Sequence, residues 1–165
     1  MDYILLLQRK FDKINDNIKY IISKNIEEYN EIGLSNSTIC YHKSIEKGIK
    51  TLEIQLKIFI KELTKLNTLD IYVWNDIFNR CNNYIIQEID FIIKYTKDTI
   101  SSNYNFTTNQ NGNNILTDIK LIIEIHKANI VEKRNQKWWD IIKMVGSAIL
   151  GSVLTILTKY IIDNI

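Results

Sequence analysis

Not one proline occurs in the 165 residues, and glycine occurs only five times. Turn-rich β folds draw on both residues, whereas long helices need neither. The chain is therefore confined to a few long helices joined by few turns, and the spacing of its apolar residues agrees. Ile4, Leu7, Phe11, Ile14, Ile18 and Ile21 recur at intervals of three and four, then drift through Ile22, Ile26 and Tyr29 to stop near Gly33. The stretch "GLSNST" that follows offers a glycine stop and Ser, Asn and Thr caps for the next helix. Ile45, Ile49, Leu52, Leu56, Phe59, Leu63 and Leu66 form the most regular stripe, a seam for packing against other helices.

After "LNTLD", where Thr68 is the expected cap, a third stripe carries Ile71, Trp74, Phe78, Cys81, Ile85, Ile89 and Ile92 and fades near Ser101. A polar, Asn-rich loop is expected over 101–113. The fourth helix is expected from about Asn114, with Leu116, Ile119, Ile123, His126 and Ile130 on one face and no glycine before Gly146. Nothing interrupts it, so it runs on into the C-terminal stretch; roughly fifty residues at about 1.5 Å each would reach about 75 Å. The fold class is thus all-α: a helical bundle of about four long helices, the last continuing into a C-terminal transmembrane helix. The expected division is a cytosolic bundle over 1–137 and a membrane segment over 138–165.

Length suits one domain with a real core, and 45% apolar residues exclude a disordered chain. The net charge of +2 comes from interspersed acids and bases. No lysine and arginine block is dense enough to predict a nucleic-acid partner. Cys40 and Cys81 stand in different segments and read as free, packed thiols of a reducing compartment, with a disulfide between them the alternative. The start, "MDYILLLQRKF", lacks the basic opening and longer apolar run of a signal peptide. Two glycosylation-type triplets, at Asn36 and Asn105, are expected by chance in so Asn-rich a chain.

The C-terminal stretch "KWWDIIKMVGSAILGSVLTILTKYIIDNI" raises the membrane question. From Ile141 to Ile162 the only charges are Lys143 and Lys159, near the two ends. About twenty largely apolar residues cross a hydrocarbon core, and lysines near the ends reach the headgroups. Trp138 and Trp139 precede the stretch and Tyr160 stands near its end, where interfacial aromatics belong. Lys127, Lys133, Arg134 and Lys137 lie upstream, so the positive-inside rule places the bundle in the cytosol on a single-pass, tail-anchored chain. A buried or membrane-surface helix is the alternative.

On a helical wheel, Asp140, Lys143, Ser147, Gly151, Thr155 and Thr158 fall on one narrow stripe. Three readings stand: hydroxyls bonding to their own helix, an oligomer seam of small residues, or the wet wall of a pore whose Lys143 ring would favour anions.

No catalytic signature is present. There is no phosphate-binding glycine loop, dinucleotide turn or nucleophile elbow. Cys40, His42, Cys81 and His126 match no common zinc module, so no metal or other cofactor is expected. Small helical ribonucleases of the HEPN type carry an Arg followed a few residues later by His, which Arg9, Arg80 and Arg134 lack. Glu27, Glu28, Glu31, Glu46 and Glu53 read as solvated helix faces. The chain is expected not to be an enzyme.

The layout is similar to that of small helical-bundle membrane effectors of bacterial anti-phage systems. That resemblance implies a tail-anchored protein that self-associates and permeabilises the bilayer, with the lipid bilayer and further copies of itself as partners. Viral apoptosis regulators of the Bcl-2 fold share the size and anchor and imply a helical partner on the bundle. Their Asn-Trp-Gly-Arg stretch is not reproduced by Val73-Trp74-Asn75-Asp76. A membrane-localised scaffold or adaptor is the third expectation.

Overall fold

The computed structural model describes residues 3–65, 69–100 and 109–163, with side chains in the last stretch described from 113 to 147. Four helices account for nearly all of it: α1 Tyr3–Glu31, α2 Thr38–Lys65, α3 Ile71–Ile100 and α4 Asn109–Asp163. Among the described residues there is no strand. The chain divides into two compact units, Met1–Ile125 and His126–Ile165.

Each junction in the first unit is made by local chemistry. Gly33 takes φ +72°, a left-handed conformation that costs a side-chain-bearing residue free energy. There the Leu34 amide donates to the Tyr29 carbonyl at 2.8 Å and the Gly33 amide to Asn30 at 3.0 Å, the paired bonds of a Schellman stop. Ser37 then caps α2, its Oγ accepting from the Cys40 amide at 3.1 Å. At α3 the capping residue is Asp70, whose Oδ1 accepts from the Ile71 amide at 2.7 Å and whose carbonyl accepts from Val73. Thr68, the expected cap, lies outside the described residues, as does 101–108 of the expected loop. Asn109–Asn113 is helical, so α4 starts earlier than its composition suggests. Extending an existing helix by one turn costs far less than nucleating one, even through Asn and Gly.

The core of the first unit is built from the predicted stripes. Leu7, Ile14 and Ile18 of α1 meet Ile45, Leu52, Leu56 and Leu63 of α2 and Trp74, Cys81, Ile85 and Ile92 of α3, all buried. Ile115, Ile119 and Ile123 of α4 are buried as well. On α3 the core position is taken by Ile77 instead of Phe78, and on α4 by Ile115 instead of Leu116.

Contact registers fix the helix directions. Lys10 meets Glu62, and Glu28 meets Lys47, so α1 and α2 run antiparallel. Tyr3 meets Asp76, Asn15 meets Glu88 and Ser23 meets Tyr95, so α1 and α3 run parallel at a constant separation of 72–73 residues. Lys57 ties α4 to α2 by an ion pair to Asp118 at 2.6 Å. Gly48 lets α2 approach its neighbours closely: a Cβ there would stand 3.0 Å from Ile92 and 3.1 Å from Ile22.

Candidate functional site

Two places carry more chemistry than packing requires. The first is the segment 126–147 of α4. Its residues follow a good helical sequence, yet the large apolar side chains find no cover. Trp138 and Trp139 are 60% and 63% exposed, and Ile141, Ile142, Met144 and Val145 are also exposed. Asp140, Lys143 and Ser147 are exposed alongside them. The Ser147 hydroxyl donates to the Met144 carbonyl of its own helix at 2.8 Å, the local bond expected of a helical serine. A Cβ at Gly146 would meet nothing within 4 Å.

The backbone is helical through to Asp163. That continuity is the part of the C-terminal expectation which the structure bears out. The side chains of Gly151, Thr155, Thr158, Lys159 and Tyr160 lie outside the described residues, so most of the span expected over 141–162 does too. Among the described residues, no helix is long and apolar enough to cross a membrane.

The second place is a polar ladder between α1 and α3 in the first unit. Tyr3 and Arg80 both donate to Asp76 Oδ2, at 3.1 and 2.6 Å, which holds that carboxyl below its ordinary range. One step along, Phe11 and Tyr84 stack with ring centroids 4.0 Å apart, and the Tyr84 hydroxyl donates to the Phe11 carbonyl at 3.0 Å. Next, Asn15 Nδ2 donates to both oxygens of Glu88, at 3.1 and 3.2 Å. Ser23 and Tyr95 close the ladder through their hydroxyls at 3.0 Å. A groove of about 410 Å³, lined by Ile4, Leu7, Phe11, Asp12, Arg80 and Tyr84 among others, runs along this seam.

No family model, curated protein or solved structure matches the chain. The reading of both places therefore rests on their physical chemistry.

Glu88 is only 4% exposed. Burial holds its carboxyl above the ordinary range, while Asn15, Tyr84 and Lys19 pull the other way. Burial, followed by Glu88, raises the Tyr84 phenol. The folded chain thus binds the Glu88 proton more tightly than the unfolded chain does. Its contribution to stability is complete below the ordinary glutamate value and is lost as pH rises through the higher folded value. Glu88→Gln, which keeps an acceptor for Asn15 without a buried charge, should remove that slope over the pH range upward from the ordinary glutamate value. It should leave the variant more stable by roughly 1 kcal/mol at the upper end. Urea midpoints across that range are the measurement, and a variant that loses stability at the upper end would show that the ionised carboxylate is needed by the ladder.

Cys40 and Cys81 are free and buried, so the disulfide alternative is not realised. Burial pushes the Cys81 thiol up to about 12 and raises Cys40 against an opposing bond from Ser44; such thiols are poor nucleophiles. His126 is half-buried and held below its ordinary value by burial and then by Lys133. Among the described residues, no group of three or more His, Cys, Asp or Glu is placed to hold a metal ion.

Sequence reasoning missed the buried polar residues Asn25, Ser44, Glu88 and Thr96. Asn25 Nδ2 donates to Ser44 Oγ at 2.8 Å inside the α1–α2 seam. Apolar periodicity cannot flag such residues. The 73-residue recurrence of polar and aromatic partners was visible only once α1 and α3 were aligned in parallel.

Proposed function

We propose that the chain inserts α4 from about Trp138 onward into a bilayer, self-associates there, and perturbs the membrane. The observation that carries this reading is the exposure of Trp138, Trp139, Ile141, Ile142, Met144 and Val145 within eight consecutive residues. At about 100° per residue they wrap roughly 220° of the helix circumference. One docked protein face cannot cover so wide an arc, whereas hydrocarbon surrounds the helix on all sides. The remaining arc holds Asp140, Lys143 and Ser147, and the sequence continues it through Gly151 and Thr158, with Thr155 just past its edge. A polar, small-residue stripe in lipid favours contact with further copies. Exposed Ile54 and Ile58 on α2, and Leu121 and Ile125 on α4, offer the bundle additional self-contact. The basic residues upstream put the bundle on the cytosolic side.

The test is flotation of the full chain with liposomes, together with release of an enclosed dye. Co-flotation with release, and suppression of release by Gly151→Leu, is the expected result. A chain that stays with the soluble fraction would overturn the reading.

A second reading has its own observation. The α1–α3 groove, with Ile4, Leu7 and Phe11 along it, suits an amphipathic partner helix. Under that reading, Ile4→Asp and Phe11→Asp would abolish partner capture and leave co-flotation untouched.

A further inference from the structure

Charge is distributed unevenly between the two units. Residues 1–125 hold 15 Lys and Arg against 16 Asp and Glu, a net of −1, whereas 126–165 holds 6 against 3, a net of +3. In the bundle, acids slightly outnumber bases, and Lys10, Lys19, Lys43, Lys47, Lys57 and Arg80 each pair with a carboxylate. The cations of the second unit are arranged otherwise. Lys133, Arg134 and Lys137 are exposed and make no ion pair among the described residues. At about 100° per residue, Lys127, Lys133, Arg134 and Lys137 share an arc of roughly 120°, and Glu132 falls outside it. Trp138 continues the arc at its edge, directly before the exposed apolar run, while Asp140 borders its other side.

From this we infer that 127–138 is a docking surface for anionic lipid headgroups, so that the protein selects negatively charged membranes. The inference rests on the membrane reading above and adds the chemistry of the surface recognised. Exposed cations on one side of a helix with no ion pair, here Lys133, Arg134 and Lys137, keep their electrostatic free energy available for an external anion. Each Lys or Arg brought to an anionic leaflet strengthens binding roughly fivefold, and the attraction fades within about a Debye length of 8 Å. The three exposed cations at headgroup level therefore strengthen binding by up to about a hundredfold. Nucleic acid also attracts cations, but the paired tryptophans and the six exposed apolar side chains suit the headgroup–hydrocarbon boundary, where such rings partition.

Partitioning of the full chain is measured onto vesicles of phosphatidylcholine alone and onto vesicles containing about 30% phosphatidylserine. Three proteins are compared: wild type, the quadruple variant Lys127→Gln, Lys133→Gln, Arg134→Gln and Lys137→Gln, and a control with Lys13→Gln, Lys24→Gln, Lys50→Gln and Lys61→Gln. The control removes the same charge from exposed bundle positions. Wild type and control should prefer the phosphatidylserine vesicles by at least about fiftyfold at low salt, and the quadruple variant should lose that preference while still binding both. Equal wild-type binding to both vesicle types would overturn the inference and leave the membrane reading standing. Loss of preference in the control would overturn it too, by tracing selectivity to net charge. Binding to neither would overturn both, and retention by a DNA duplex in that case would assign the basic arc to nucleic acid. Coincident thermal unfolding of the three proteins shows that each is folded.

Discussion

Trp74→Ala will lower the unfolding free energy of the bundle by about 3–5 kcal/mol, the cost of emptying a large aromatic site in a packed core. Trp74 is fully buried, and it is the largest side chain in the interior. It stands on the first turns of α3, beside the Asp70 cap and the Tyr3–Asp76 bond. The helices α1 and α2 pack against α3, so collapse around the missing ring is incomplete and the cavity term adds to the lost transfer free energy. A domain of this size has about 5–15 kcal/mol in total, so the variant will be partly unfolded in mild denaturant. Urea unfolding followed by far-ultraviolet circular dichroism measures it. Tyr72→Ala, on the same turn but 80% exposed, should stay within about 0.5 kcal/mol. A Trp74→Ala loss below about 1 kcal/mol would mean that α3 does not present this face to the core.

That face was legible in the chain because burial of apolar side chains is what fixes a helix's rotation. On α2, Ile45, Ile49, Leu52, Leu56, Phe59 and Leu63 were read as one seam, and all are buried. Where two apolar residues stand side by side, periodicity leaves one position undecided. Ile77 and Phe78 are such a pair, as are Ile115 and Leu116, and in both the isoleucine goes inward. Helix ends depend on single hydrogen bonds: the Gly33 stop was visible because only glycine adopts that φ freely. Thr68 was the expected cap of α3 and lies outside the described residues, whereas the bond that the structure shows there is made by Asp70.

Glu88 was beyond reach from local pattern. In "IIQEIDF" it looks like a solvated acid, and the partners that make its burial tolerable, Asn15 and Lys19 of α1 and Tyr84 one turn back, lie outside that stretch. The same limit applies to the basic arc. Lys133, Arg134 and Lys137 were read as topology signals, but that they share a side of α4 and lack intramolecular carboxylate partners is a property of the folded chain.

Removing everything after Lys137 should separate folding from membrane retention. Buried side chains of the first unit end at Ile123, and its ion pair from Lys57 reaches no further than Asp118. From Glu132 to Val145 every described side chain is exposed, so the deletion removes no described core contact. The truncated protein should unfold within about 0.5 kcal/mol of the full chain. Its affinity for bilayers should collapse. Six large apolar side chains transferred from water to hydrocarbon are worth on the order of 10 kcal/mol, several powers of ten in partitioning. The cations that remain, Lys127, Lys133, Arg134 and Lys137, would then hold the protein only on anionic vesicles at low salt, and release it as salt screens them. Flotation of the two proteins with neutral and anionic liposomes reads both effects. Retention of the truncated chain on neutral liposomes would place the membrane contact in the bundle. A fall in its stability by more than about 1 kcal/mol would show that α4 beyond Lys137 takes part in the fold.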